Sequence, residues 1–328
     1  MLFTLRARER LLAERLDMAL NKTKRDVIIF IAVVLASGWL GALLDMALAE
    51  QPDGNSLGMG LWLVLPFFAS IALRLISRDG KNTGIKPNFK GNVKWYSLSA
   101  VAYLSVTAIT IGFAAALGSV DISGFETRAF FPLIAVSVGG GLIKNIFEEF
   151  AWRGYLTPKL IELKLNDWSL YATVGLVWAL WHAAYYLVFL PDIHFQSMPR
   201  AAFLLITCLI VPCWTVMYVE IYQLTGSVWP CVLMHTVEDV FPTLLVAGGF
   251  IAFTKSGDIW WNPTTGIVAT ALFLGIGLLL RHARKGRALA TACIRNGLCP
   301  QQHTLATART EQPVAQNCPH LTRTTDED

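Results

Sequence analysis

The sequence predicts an all-α polytopic membrane protein, a bundle of about eight transmembrane helices around a central polar cavity. Hydrophobic residues make up 54% of the 328 positions and charged residues only 15%, whereas a soluble domain carries about 25% charged residues. Several apolar runs also reach the length of about 20 residues that a helix needs to cross a bilayer. The composition therefore argues against a soluble globular protein.

Eight segments are long and apolar enough to be these helices. They are residues 27–49, 57–76, 96–119, 129–151, 168–190, 201–222, 227–250 and 264–280. Prolines and ionisable residues interrupt the seventh, but without it the basic loops would fall on both sides of the membrane. Lys and Arg in short loops mark the cytoplasmic side. We therefore expect an integral protein of a bacterial cell membrane with both termini in the cytoplasm.

Polar segments flank this membrane domain at both ends of the chain. Residues 1–26 are basic and amphipathic, which favours a cytoplasmic helix lying on the membrane surface. The transmembrane domain covers residues 27–287. Residues 288–328 are polar and rich in Thr and Gln, so we expect that tail to be disordered.

The most unusual polar segment ends the fourth predicted helix, where two adjacent carboxylates precede an arginine. Ionisable groups at membrane depth are costly and usually functional. Glu149 and Arg153 have the spacing and order of a favourable helical ion pair. Glu148 points about 100° away, so we expect it to lack a basic partner and to face a cavity as a general base. The alternative is an ordinary ion pair at a helix end, with Gly139, Gly140 and Gly141 allowing another helix to pack closely.

The fifth predicted helix carries one histidine, His182, in aromatic surroundings. Its helical neighbours are Trp178, Tyr185, Tyr186 and Phe189. A lone histidine in a membrane helix is often bonded to a neighbouring helix, or here to one of the two tyrosines. The aromatic surroundings also suit a groove for an apolar substrate, and the sequence leaves both interpretations open.

The seventh predicted helix contains His235, followed three and four residues later by Glu238 and Asp239. Both acids can therefore reach the face of the histidine. Inserting a charged group at the membrane centre costs about 2.5–3.5 kcal/mol, so these groups need partner residues, water or a bound ion. We expect the fourth, fifth and seventh helices to meet and bring the three polar motifs together.

The three motifs together resemble those of the CPBP family of intramembrane proteases, which includes relatives of the eukaryotic CAAX prenyl endopeptidase and of bacterial bacteriocin-processing and immunity proteins. The resemblance rests on Glu148-Glu149-x-x-x-Arg153, on an aromatic residue one turn before His182, and on His235-x-x-x-Asp239. The motifs occur in the family's order within a core of about residues 125–255.

The resemblance implies an endopeptidase that hydrolyses a peptide bond of a membrane-associated or prenylated, CAAX-type protein or peptide in a central catalytic cavity. It implies that Glu148 and His182 activate water and that His235 and Asp239 hold the oxyanion. The supporting residues would be Glu149, Arg153 and Trp178. The implied partners are the lipid bilayer and a hydrophobic or lipidated substrate that enters from it, and no nucleic acid.

One residue departs from the family pattern in a way that affects its role. Asp239 stands where the prenyl endopeptidases usually have Asn, whose amide can donate a hydrogen bond to an oxyanion. An ionised Asp only accepts hydrogen bonds. Asp239 would therefore stay protonated, orient His235 or bind a cation. Trp178, where the family often has Phe, is a mild change.

Three other functions use the same residues. A zinc enzyme could take its ligands from Glu148, His182, His235 and Asp239, since histidines and a carboxylate with an open position form a catalytic zinc pattern. We favour the mechanism that requires no cofactor, because His-Glu-x-x-His is absent from the sequence. A non-catalytic immunity or membrane-peptide-binding protein is a second alternative. A proton-coupled transporter is a third, disfavoured because no internal repeat is evident.

Overall fold

The computed structural model is almost entirely helical across the residues it describes, which are 2–48, 50–52, 55–81, 83–195 and 198–295. The α-helices are α1 (Leu2–Ala47), α2 (Leu57–Ser77), α3 (Val93–Ala116), α4 (Thr127–Ala151), α5 (Thr157–Glu162), α6 (Asp167–Trp181), α7 (Arg200–Thr225), α8 (Trp229–Glu238), α9 (Leu244–Ala247), α10 (Lys255–Trp261) and α11 (Ile267–Arg295). Two short antiparallel strands, β1 (Val120–Asp121) and β2 (Ala252–Phe253), pair in the register Val120 with Phe253. The fold class predicted from the sequence is confirmed.

Eight of the helical segments in the described residues have the length and apolar composition of membrane spans. They are Asp17–Ala47, Leu57–Ser77, Val93–Ala116, Thr127–Glu162, Asp167–Phe189, Arg200–Thr225, Trp229–Ala247 and Ile267–Thr291. Each overlaps one of the predicted spans, including the seventh with its prolines and charges. The chain is therefore an integral membrane protein.

Long helices form both ends of the described chain. Helix α1 is continuous from Leu2 to Ala47, so it has no break at the predicted boundary after residue 26. The stretch before Gly38 contains neither glycine nor proline, and only those residues strongly oppose helix continuation. One compact unit ends at Gly286. A second unit begins at Arg287, and its residues 287–295 form the end of α11. The remaining residues of the tail that was predicted to be disordered lie outside the described residues.

In the described residues, three π-helical turns interrupt the α-helices, and each lies at or within three residues of one of the polar motifs. Trp152–Leu156 joins α4 to α5, Tyr185–Phe189 follows α6, and Asp239–Thr243 joins α8 to α9. A π-turn inserts one residue into the helical repeat and rotates the side chains that follow it, and such turns are frequent at functional sites. Here they let single spans present polar groups to the interior.

Small residues set the closest approaches between spans, as is common in membranes. A Cβ added to Gly41 of α1 would lie 2.2 Å from the carbonyl oxygen of Gly58 in α2, and one on Gly175 of α6 would lie 2.5 Å from the Cα of Pro212 in α7. The glycines before the Glu148 motif behave differently. Only Gly141 approaches another helix, 3.1 Å from Val240, whereas no other described residue lies within 4 Å of the Cβ positions of its two predecessors.

A charged cluster fixes the loop after α2 to α5. The Asp79 carboxylate lies 2.5 Å from the Lys159 ammonium and 3.4 Å from the Arg74 guanidinium. Arg74 also donates a hydrogen bond of 2.5 Å to the backbone oxygen of Gly154. Burial by itself would raise the pKa of Asp79, but hydrogen bonds from Lys159 and from the Lys81 backbone, with the nearby cations, hold that pKa below its usual range.

We predict that Asp79→Asn lowers the free energy of unfolding by about 1–3 kcal/mol at pH 7, because it leaves the buried Lys159 without this carboxylate. A carboxyl with a depressed folded pKa stabilises fully above its unfolded pKa of about 3.9, and this contribution is lost as the pH falls through the folded value. Thermal unfolding in detergent at pH 7, 5 and 3.5 checks this.

The matched control is Asp192→Asn, since Asp192 is 95% exposed in its ion pair with Arg200 and exposed pairs contribute about 0–1 kcal/mol. A deficit of Asp79→Asn that is undiminished at pH 3.5, or equal deficits in the two variants at pH 7, would contradict this account.

Candidate active site

The three predicted polar motifs lie around one aromatic side chain, Trp178 of α6. Its indole Nε1 donates a hydrogen bond of 3.3 Å to Oε2 of Glu148, at the end of α4. Its backbone oxygen lies 2.9 Å from Nδ1 of His182. Its ring centroid lies 5.3 Å from that of His235 in α8. Trp178 therefore joins the fourth, fifth and seventh spans, as the sequence predicts.

Glu148 is buried and is not the unpaired carboxylate that the sequence analysis expects. Its Oε1 lies 3.1 Å from the ammonium of Lys144, which is four residues earlier on the same helix face, and its Oε2 lies 4.0 Å from Nε2 of His235. The expectation was wrong because it considered only the basic residue one turn later. Residues four apart are neighbours in both directions along a helix.

Glu149 binds both of its partners through a single carboxylate oxygen. Oε1 lies 3.0 Å from Nη1 of Arg153, the predicted ion pair, and 2.9 Å from Nδ1 of His235. The Arg153 side chain is completely buried. Its guanidinium lies 4.5 Å from the ring centroid of Trp178 and 4.4 Å from that of Tyr218 in α7, positions that favour cation–π attraction.

The contact with Glu149 determines which ring nitrogen of His235 carries the proton. An ionised carboxylate only accepts hydrogen bonds, so Nδ1 of His235 carries a proton and donates it to Glu149. A neutral imidazole then has a lone pair at Nε2, the atom that faces Glu148. His235 can donate from Nε2 to an oxyanion only when both ring nitrogens are protonated.

His182 also carries its proton on Nδ1. The backbone oxygen of Trp178 accepts the proton on Nδ1 of His182, because a carbonyl oxygen cannot donate. The Nε2 atom of neutral His182 is then a lone pair that can accept a proton. The ring stacks on that of Tyr186, with centroids 5.5 Å apart and planes 16° apart. The expected hydrogen bond to a tyrosine or to another helix is thus replaced by one to its own helix.

Asp239, at the start of the third π-turn, contacts a cation supplied by the protein. Its Oδ2 lies 2.9 Å from Nζ of Lys144 and 2.6 Å from the amide nitrogen of Asn145. Of the roles expected from the sequence, cation binding is the one that the contacts show, because Asp239 is joined to α4 and not to the ring nitrogens of His235. The polar pair Lys144-Asn145 inside an apolar run is the signal that sequence reasoning missed.

The residues that could hold a metal differ from the expected set. Single ligand atoms of His235, Glu238 and Asp239 lie within 4.8 Å of one another. Glu238 accepts a hydrogen bond of 2.5 Å from Thr243, a partner one turn later. The Lys144 ammonium lies within 3.1 Å of carboxylate oxygens of both Glu148 and Asp239. A divalent cation bound between those two acids would be repelled by it.

The comparisons with known proteins agree with this geometry. Residues 130–241 match the family model described as Type II CAAX prenyl endopeptidase Rce1-like. The match supports membership of the CAAX protease family for this segment. The matched range contains all three motifs as well as Lys144 and Asn145. A match to this family indicates a peptidase that acts within the membrane on a membrane-embedded peptide. A search of curated proteins finds no match.

We predict that Arg153→Leu lowers the free energy of unfolding by about 3–5 kcal/mol, because it leaves a buried carboxylate without its cation. Thermal unfolding in detergent measures the effect. Arg200→Leu is the control, since the partner of Arg200 is exposed and such pairs contribute about 0–1 kcal/mol. Equal losses in the two variants would show that the Glu149–Arg153 pair does not stabilise the site.

Proposed function

We propose that the chain is an intramembrane endopeptidase whose water nucleophile is activated by Glu148 and His182. The observation that supports this most is their common anchor, because Trp178 binds the Glu148 carboxylate through its indole and the His182 ring through its backbone oxygen. This arrangement leaves the Nε2 lone pair of neutral His182 available to accept a proton. A general base must be within hydrogen-bond reach of the proton it removes.

The proposed reaction adds one water molecule across a peptide bond. Glu148, assisted by His182, accepts a proton from water, and the hydroxide oxygen attacks the carbonyl carbon. The carbonyl oxygen becomes an oxyanion, which must be stabilised by positive charge or hydrogen-bond donors. Collapse of this intermediate breaks the carbon–nitrogen bond, and the proton passes from the acid–base pair to the departing amine.

The substrate that we propose is a membrane-associated or prenylated, CAAX-type protein or peptide. Aromatic rings surround the half-buried His182, with Trp62, Trp181 and Tyr185 within 6.2 Å between centroids. On α4, Val136 is 79% exposed and Ile143 is 60% exposed, as expected of side chains that face lipid. An apolar substrate could therefore approach the catalytic end of α4 from the lipid.

We predict that Glu148→Gln and His182→Ala each abolish cleavage while the protein still accumulates in the membrane. Glutamine cannot accept the proton, and alanine removes the Nε2 lone pair. The assay measures product formation from a fluorogenic prenylated peptide in detergent. The matched controls are Glu126→Gln and His282→Ala, since both residues are exposed. Full activity in Glu148→Gln would exclude this mechanism.

The same variants separate the rival functions. A protein that only binds a membrane peptide would keep its function in Glu148→Gln, because that substitution conserves shape. A proton-coupled transporter would require a pH gradient across vesicles, whereas hydrolysis proceeds in detergent. The peptidase family to which residues 130–241 belong favours hydrolysis.

We also propose that hydrolysis requires no metal ion, and the support is the position of Lys144 between two candidate ligands. We predict that 1,10-phenanthroline and EDTA leave the initial rate within about twofold, an effect of roughly 0.4 kcal/mol on the activation free energy. Metal analysis of the purified protein should find less than stoichiometric zinc. Loss of activity with chelator and its recovery with added zinc would reverse this proposal.

A further inference from the structure

The proposed reaction places a new negative charge among groups that are already negative. Glu148, Glu149 and Asp239 lie close together in the cavity, and ionised carboxylates repel a developing oxyanion. Preorganised donors at the site of the developing charge are usually the largest single contribution to catalysis. The structure must therefore supply a positive donor that can touch the substrate carbonyl beside Glu148.

Three other groups lack a free N–H or O–H donor for the substrate when His235 is neutral and Asp239 is ionised. The guanidinium of Arg153 is completely buried between two aromatic rings and cannot reach a substrate. Nδ1 of His235 donates to Glu149, which leaves a lone pair at Nε2 of the neutral ring. Asp239, when ionised, only accepts hydrogen bonds.

Lys144 meets the requirement. Its Nζ lies 3.1 Å from Oε1 of Glu148 and 2.9 Å from Oδ2 of Asp239, and its side chain is 35% exposed. An ammonium has three N–H donors, and after these two contacts the third faces Oδ1 of Asn145 at 3.4 Å, a long contact that a substrate oxyanion can replace. The Cβ positions of Gly139 and Gly140, on the preceding turn, face space with no described residue within 4 Å.

We propose that Lys144 is a catalytic residue whose ammonium donates a hydrogen bond to the oxyanion of the tetrahedral intermediate. Asp239 and Asn145 hold the ammonium in place, so Asp239 acts as a positioning residue. When Glu148 takes the proton from water, it loses the negative charge that Lys144 neutralises. The same charge appears on the carbonyl oxygen, and Lys144 remains paired throughout the step.

This inference rests on the proposed endopeptidase function and makes a separate prediction. Lys144→Met should lower kcat about 10²–10³-fold, with KM changed by less than about threefold, because the lost hydrogen bond forms only in the transition state. Lys144→Arg keeps a cationic donor and should retain more activity than Lys144→Met. Steady-state kinetics with the fluorogenic peptide measures both.

A double variant distinguishes donation from simple charge neutralisation. If Lys144 only neutralises Asp239, then Lys144→Met/Asp239→Ala should recover the activity of Asp239→Ala alone. If Lys144 donates to the oxyanion, the double variant should stay as slow as Lys144→Met, whereas Asp239→Ala alone should lose less. Recovery in the double variant would overturn the proposal.

A binding measurement covers the case in which Lys144 merely maintains the shape of the site. A substrate-like peptide aldehyde, whose hydrate resembles the tetrahedral intermediate, should bind Lys144→Met at least about 30-fold more weakly than the parent protein. The same peptide with a reduced, uncleavable amide should bind both proteins equally. Equal weakening of the two ligands would indicate a structural role and overturn the proposal.

The outcomes for the two proposals differ. If the parent protein shows no cleavage, or if Glu148→Gln is fully active, the proposed function fails. If the parent protein cleaves, Glu148→Gln does not, and Lys144→Met keeps kcat within about threefold, only the inference about Lys144 fails. Lys144→Gln, which keeps length and a neutral donor, replaces Lys144→Met if the latter does not accumulate, with an expected loss of kcat of at least about tenfold.

Discussion

The site depends on one buried carboxylate oxygen, Oε1 of Glu149. It accepts from Arg153 within its own helix and from His235 in α8, so it links two spans. Desolvating a carboxylate and a guanidinium costs several kcal/mol each, and their pairing offsets this cost. The rings of Trp178 and Tyr218 surround the guanidinium and provide attraction where water is absent. Once this unit forms, the position of Glu148 and the free nitrogen of His235 follow from it.

The π-turns explain how straight spans can support such a cluster. The two carboxylates lie in the last turn of α4 before the first π-turn, His182 caps α6 three residues before the second, and Asp239 opens the third. A regular α-helix repeats every 3.6 residues, so the residues on one face are fixed by their spacing. An inserted residue changes that register locally. Asp239, one turn after His235 and on the same face, contacts Lys144 and Asn145 on α4 at the point where this change of register begins.

Charge pairing in this cavity is organised in two layers. Arg153 neutralises Glu149 in the fully buried layer, out of reach of any ligand. Lys144 pairs with Glu148 and Asp239 in the half-exposed layer, where a substrate can approach. The separation gives one cation a structural role and leaves the other available to a reacting group. In the mechanism that we propose, the acidic residue at position 239 is compatible with hydrolysis, because Asp239 positions a donor instead of being one.

The sequence by itself determined the membrane class, the eight spans and the three motifs. Hydropathy depends only on local composition, and the Glu149–Arg153 pair depends only on spacing within one helix.

The tertiary structure decided the partners that come from different spans or from π-turns. Lys144 lay one turn before Glu148 in the sequence, but only the packing of α8 against α4 shows that it also binds Asp239. The tautomer of His235 likewise depends on its contact with Glu149. Such contacts join residues about 90 positions apart, and no local pattern encodes them, because bilayer insertion fixes each span separately and helix packing then selects which polar groups meet.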